Sequence, residues 1–531
     1  MRLLTFLVGI VLPALPTIAI AQTWQVFQPY SLEYTLSPQP ISYTNTVDNQ
    51  GCVFVSGYTS GNVDYAGFVY GNSLIQKLSP QGQIIWEKEV SGKNRLPLMN
   101  ANNDGKVVLA GAFVNTISLD GQTLSHAQEV NLPVILQLSA QGNLEWMYDL
   151  STFDVDFIEC QALTIGSDNS IWVAGHNFVD SYIIHFSEEG EVLEIVVQSN
   201  VNEITSIDVD SEGNLYVAGA CAQEDATFKQ HPASASFAFN SYVAKYSAVG
   251  EFEWVKFQEE PNCTGPIVMV ENPDFIYITN HLSGARSLGE FSVPGPQSAF
   301  APDFYLACLN SEGEYQWVRD APGNGKIEIG NRACLATDQS NNVYLAGRIQ
   351  GATYWENDIT TFSLGSNDAI VMKFDSEGVL QMARTAGGGF EERADAVSVT
   401  TSGAIWLSGI ASGNMTLDNI SHTSSPGISY AFAAKLASED IIEEEVLAVD
   451  NVANVSWQFY PNPANDILMI EGNGEESRVQ LWSIEGKLIR EFSLRGARSV
   501  NVSELPNGIY TIRIIDNNAE IVHSKLVIQH R

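Results

Sequence analysis

Gly213-Asn214-Leu215-Tyr216-Val217-Ala218-Gly219 is the stretch whose reading decides the fold, because the same phrase occurs seven times with its chemistry kept and its letters changed. The other copies are Gly51 to Gly57, Gly105 to Gly111, Asn169 to Gly175, Asp274 to Asn280, Asn341 to Gly347 and Gly403 to Gly409. Each joins a Gly or Asn turn to a β-branched and aromatic run that stops at a small residue, which is strand punctuation. The last residues of the copies fall at 57, 111, 175, 219, 280, 347 and 409, about 59 apart on average. Outward from the phrase, a second one follows, as in Tyr242 to Trp254: a strand, a four-residue turn ending in Gly, and another strand. An alternating apolar run precedes it, as in Ile204 to Val209 and Ala394 to Val399. Each unit is therefore a meander of four short strands. The spacing predicts an all-β, seven-bladed β-propeller over residues 22–436, with the excess over a 40 to 50 residue blade carried in loops.

The seventh unit stops at Leu436 without an outer strand, while Trp24 to Tyr30 is an orphan strand near the start of the chain. Pairing the two would close a ring, which an open solenoid does not need. The regular Trp86, Trp146, Trp254 and Trp317 read as packing between blades rather than as a binding ladder. The long connections at 112–132, 220–240, 281–303, 348–368 and 410–429 are expected on one face, and recognition is expected there.

A chain of 531 residues with 45% hydrophobic and 17% charged residues is globular and exceeds one core. Its formal charge of −36 repels phosphates, which argues against nucleic acid as partner. Residues 1–21 read as a signal peptide, with Arg2, an apolar run from Leu3 to Leu12, and Ala19-Ile20-Ala21 before Gln22. No later segment has the length of a transmembrane span. Residues 437–456 carry Glu439, Asp440, Glu443, Glu444, Glu445 and Asp450 with no Lys or Arg, and read as an acidic linker. Beyond it, residues 457–531 hold 8 basic and 9 acidic side chains and several short strands, as a small β-sandwich would.

In that last segment Phe459-Tyr460-Pro461-Asn462-Pro463-Ala464, then Ile484-Glu485-Gly486-Lys487, then Leu505-Pro506-Asn507-Gly508-Ile509-Tyr510, and a Lys525 to Ile528 finish occur in order. They resemble the type A C-terminal sorting domain of the type IX secretion system. The resemblance implies an Ig-like domain recognised by that machinery at the outer membrane of a Bacteroidota-type cell, leaving the cargo surface-attached or released. Residues before 437, as in Thr385-Ala386-Gly387-Gly388-Gly389-Phe390 followed by Ala394 to Gly409, resemble, more loosely, secreted bacterial β-propeller repeats, a family without one activity.

The chain contains no GxSxG, HExxH or P-loop pattern, and its eight histidines form no HxH or HxxxH. Asp208, Asp210 and Glu212 alternate before a turn Gly, as do Asn100, Asn102 and Asp104, so calcium is the metal these loops would take. The same side chains also cap hairpin turns, and no cofactor is otherwise required. Six cysteines allow fifteen pairings, of which Cys221 with Cys263 has positional support. Tyr354 and Trp355, with Phe390, are the loop aromatics chosen as candidate contacts for a glycan or protein ligand. Paired acids such as Asp154 with Asp156, Glu259 with Glu260 and Glu391 with Glu392 would suit a glycosidase only if the fold brought them together. The reading is an exported, monomeric binding module; a carbohydrate-active propeller enzyme and an envelope component are its alternatives.

Overall fold

A computed structural model describes residues 22–530 except 30–33, 36–43, 66–67, 223, 236, 238, 261–263, 297–300, 302, 324–325, 332, 358, 425–427, 438–457, 461–463, 472–475, 484–486, 496–497 and 516–520. The expected signal peptide 1–21, the expected linker from 438, Cys263, Pro461 to Pro463 and Gly486 thus lie outside the described residues. The chain divides into two compact units, 1–440 and 441–531.

In the first unit every copy of the opening phrase is the second strand of an antiparallel meander. In the fourth meander Glu203–Val209, Leu215–Cys221, Asn240–Tyr246 and Phe252–Glu259 pair in that order. Leu215–Cys221 is buried along its whole length, which is why the phrase is almost purely apolar. The third, fifth and seventh meanders place Ile171–His176, Phe275–His281 and Ile405–Ser412 in the same position. The first two meanders are fused, because Ile84–Ala101 runs as outer strand of one and first strand of the next, bending at bulges near Gly92 and Pro97.

The phrase's terminal glycine has a packing reason. Gly219 sits where the first strand bulges between Ile204 and Ser206, and a Cβ there would lie 2.1 Å from the Glu203 carbonyl oxygen. The second strand then continues past that glycine rather than ending at it.

The first strands of successive meanders touch in a closed circuit, Thr44–Val47 to the end of Ile84–Ala101, then Ala162–Ile165, Glu203–Val209, Ile267–Asn272, Leu335–Thr337, Glu392–Val399 and back to Thr44–Val47. Outer strands carry the seams. Trp86, Trp146, Trp254 and Trp317 donate through Nε1 to carbonyl oxygens of Ala140, Glu188, Ser311 and Ser376, each in the turn of the next meander. At the join of last to first, Trp24–Pro29 pairs with Ile428–Leu436 in the register Trp24 to Leu436. There Val26 takes the tryptophan's place over Gly82, and Lys435 Nζ donates to the Pro80 carbonyl at 2.9 Å. The unit is a β-propeller closed by both ends of its chain segment.

The long connections differ from expectation. Five of them carry hairpins of their own, as at Thr227–Phe228 with His231–Pro232 and Met415–Leu417 with Ile420–His422. Three of these five add to the outer strand of the preceding meander, through Ile117 with Gly92, Phe228 with Gln198, and Thr416 with Gly387. Their tips hold ion pairs across the seam: Asp120 with Lys88 at 2.7 Å, Lys229 with Glu194 at 3.1 Å, and Asp418 with Arg384 at 2.7 Å. The insertions fold down the rim because a hairpin laid along an outer strand pairs backbone groups that a sheet edge would otherwise expose.

The second unit has two sheets around one apolar core that includes Leu468, Val479, Ile512 and Leu526. Gln458–Tyr460, Ile467–Glu471 and Arg498–Asn501 form one sheet; Leu488–Arg495, Glu476–Ser483, Gly508–Ile515 and Ile521–Ile528 form the other.

Candidate functional site

The first strands meet at a crowded axis and supply mostly small or β-branched side chains, leaving a channel of about 290 Å³. Its polar groups stitch neighbouring strands together. Thr164 Oγ1 donates to Asp208 Oδ1 at 2.8 Å, and the Val270 N–H donates to Asp208 Oδ2 at 2.7 Å. Asn45 Nδ2 donates to the Ala396 carbonyl at 3.1 Å, and Ser206 Oγ exchanges hydrogen bonds with the backbone of Val268. Burial pushes the Asp208 carboxyl up to about 7.

The three residues of the candidate calcium loop do not converge. Asp208 belongs to the channel wall. Asp210 is buried, accepts the N–H groups of Glu212 and Asn214 through Oδ1, and accepts Asn214 Nδ2 and Tyr216 OH through Oδ2. Glu212 is exposed. Asn102 caps its turn in the same way as Asp210 does, accepting from Asp104 and Lys106. Among the described residues no group of three or more His, Cys, Asp or Glu side chains is arranged to hold a metal ion.

On the face of the tight first-to-second-strand turns the channel opens, past Glu271, Thr337 and Val399, into a bowl of about 600 Å³. Turn tips form its rim: Asn49, Asn103, Gln339, Ser340, Thr401 and Ser402, all exposed. The position two residues before the opening phrase holds Asn49, Asn103, Ser167, Ser211, Asn272, Gln339 and Thr401, an amide or a hydroxyl in every copy. That regularity was available in the sequence, where it passes for ordinary turn chemistry. Deeper in the wall, Lys373 Nζ lies 5.7 Å from the centre of the Tyr344 ring, and Tyr344 OH donates to Asp338 Oδ2 at 2.8 Å. Gln22 also contributes to the wall; it is 8% exposed, and its Oε1 is buried without a hydrogen-bond partner.

The candidate aromatics are not brought together as a surface. Tyr354, at 73% exposure, ends the rim hairpin strand Ala352–Tyr354, whereas Trp355 turns inward, donating to Thr361 Oγ1 at 3.0 Å and packing edge-on against Phe374. Phe390 is half exposed and covers Gly413. Adjacent acids also diverge. Glu391 is exposed while Glu392 is buried, with Oε2 accepting the Gly388 N–H and its pKa raised to about 7 by burial and then by Asp368. Glu259 is exposed, whereas Glu260 is fully buried in a two-pronged pair with Arg286 at 2.7 and 3.0 Å. Asp154 and Asp156 are both exposed. Cys221 is buried, its Sγ 3.7 Å from the Asn200 carbonyl oxygen.

In the second unit Tyr510 is buried and donates through its hydroxyl to the Pro506 carbonyl at 2.9 Å, which ties the Leu505 to Gly508 turn to the strand Gly508–Ile515. Lys487 closes the turn after Glu476–Ser483, its carbonyl accepting from Ser483 N at 2.9 Å, and Tyr460 is half exposed at the end of the first strand. Residues 458–529 match the family model of the secretion system C-terminal sorting domain. They are a type IX sorting domain. The sorting domain marks this protein for export to the cell surface or beyond, and implies an interaction with the type IX machinery. No helix among the described residues is long and apolar enough to cross a membrane.

No curated protein matches the chain. Similar solved structures include the Dos1 propeller, 10% identical over 78% of this chain and 96% of that one, with a TM-score of 0.37. The β-propeller domain of the Trilobed protease from Pyrococcus furiosus is 9% identical over 72% and 97%, with a TM-score of 0.36. A protein of unknown function from Bacteroides caccae is 12% identical over 61% and 92%, with a TM-score of 0.32.

Proposed function

We propose that this protein is an exported binding module, a seven-bladed propeller whose ligand occupies the axial bowl and whose Ig-like sorting domain delivers it to the cell surface. The observation that carries this reading is the bowl itself: with the insertions folded onto the rim, it is a concave polar recess of about 600 Å³ at the propeller axis, within the size range of small-molecule sites. The glycosidase reading asks for two carboxylates facing a substrate, and the half-buried channel acid Asp208 already has both oxygens hydrogen-bonded to the wall.

Two measurements test the proposal. Removing residues 457–531 should leave the propeller in the periplasm, and continued surface delivery would sink the sorting role. Filling the bowl by Ser340→Trp should abolish ligand capture by the purified full chain, and capture that survives it would move the site elsewhere.

A further inference from the structure

The ligand class follows from the chemistry of the bowl, and this inference rests on the proposed binding role. We infer that the bowl takes a neutral, hydroxyl-rich ligand, a short oligosaccharide, held by hydrogen bonds from the turn-tip amides and hydroxyls.

The rim supplies side chains of one kind. Asn49, Asn103 and Gln339 each present an N–H₂ donor and a carbonyl acceptor, while Ser340, Thr401 and Ser402 present hydroxyls. A saccharide chain offers alternating donors and acceptors at close spacing on every side, which this arc of turn tips from four meanders can pair. Two other ligand classes fit less well. A peptide docks by burying apolar anchors, and Val399 is the one aliphatic side chain in the wall among the described residues. An anionic ligand would meet Glu271 and Asp338 as well as the cation Lys373 in the wall, and beyond them the field of a chain carrying a net charge of −36.

Gln22 gives the bowl a specific unmet demand. Its Oε1 is buried and accepts nothing, and a buried acceptor left unpaired is costly in the empty state. A ligand hydroxyl would donate to it where a local shift of the wall uncovers this closed atom. Asp338 has no such demand, because its carboxylate already accepts from Ser340 N, Asn342 and Tyr344. The residue that reads a hydroxyl in the wall is therefore Gln22, and the rim residues read the remainder.

The test uses the purified full chain against immobilised neutral oligosaccharides, uronate- or sialate-containing oligosaccharides, and random-sequence peptides. Binding to neutral oligosaccharides is expected. It should fall about tenfold in Gln339→Ala and in Thr401→Ala, about tenfold in Gln22→Leu, and below detection in Ser340→Trp, with melting temperatures unchanged for the rim variants. If Ser340→Trp abolishes binding but the wild type captures only acidic saccharides or only peptides, the ligand class is wrong and the bowl stands. If neutral saccharides bind equally to wild type and Ser340→Trp, the bowl is wrong. Absence of binding to every probe at millimolar concentration overturns both the inference and the binding role.

Discussion

The backbone N–H of Trp24 donates to the Asp418 carboxylate at 3.1 Å, across 394 residues of sequence. The same carboxylate accepts Arg384 Nη2 at 2.7 and 2.9 Å, so one aspartate at a hairpin tip ties the chain's first described strand to the sixth and seventh meanders. Asp120 repeats the arrangement between Lys88 and the N–H of Leu144, and Lys229 repeats it with opposite charge between Glu194 and the Gly250 carbonyl. The rim hairpins are seam fasteners.

Closure of the ring is testable at that aspartate. Asp418→Ala should cost about 1–2 kcal/mol in urea unfolding, since it removes one backbone acceptor and a partly exposed ion pair. Deleting residues 22–29 removes the whole outer strand of the seventh meander and should lower the melting temperature further. Unchanged melting in the deletion would refute closure.

Arg286 and Glu260 make a buried pair with side-chain exposures of 5% and 0%. Arg286→Ala leaves the Glu260 carboxylate buried without its cation and should destabilise by about 3–5 kcal/mol, with Glu260→Gln in the same chain restoring part of the loss. A loss below about 1 kcal/mol in Arg286→Ala, read by chemical denaturation, would mean that Glu260 is not held in this way.

Stability should fall as pH rises from about 4 to about 7. Burial raises Asp208, Asp303 and Glu392 to about 7 in the folded chain, so each keeps its proton in the folded state where the unfolded chain has released it. The stabilisation is fully present below the unfolded carboxylate pKa and is lost as pH passes through the folded value. Glu392→Gln should flatten part of that slope and raise the melting temperature at pH 8 relative to the parent. A parent protein more stable at pH 8 than at pH 5 would contradict this.

Chelation should leave the propeller's melting temperature within about 1 °C, because the Asp208 and Asp210 oxygens are already engaged by protein donors. A clear drop with a chelator, reversed by calcium, would revive the metal loop.

Much of this fold was legible in the sequence because its signals are local and repeated. The phrase ending at Gly219, the turn before Trp254 and the orphan strand at Trp24 each declare a backbone conformation through a few neighbouring residues. The candidate site was less legible. Tyr354 ends its strand exposed, while Trp355, one residue beyond the strand, turns inward and is spent on Phe374 and Thr361. The bowl is not legible in the sequence because an amide at Asn49 or Gln339 is the residue a turn would choose anyway.

By itself the sequence determined the strand meander, its sevenfold recurrence, the closing partner at Trp24 and the sorting domain at 458–529. Only the tertiary structure decided where the insertions go and which face is concave. Those outcomes depend on pairs such as Lys88 with Asp120 and Arg384 with Asp418, which lie 32 and 34 residues apart and meet only across a seam between two folded meanders. Turn chemistry is written into neighbouring residues, whereas the path of a long insertion is chosen by whichever sheet edge stands unpaired beside it.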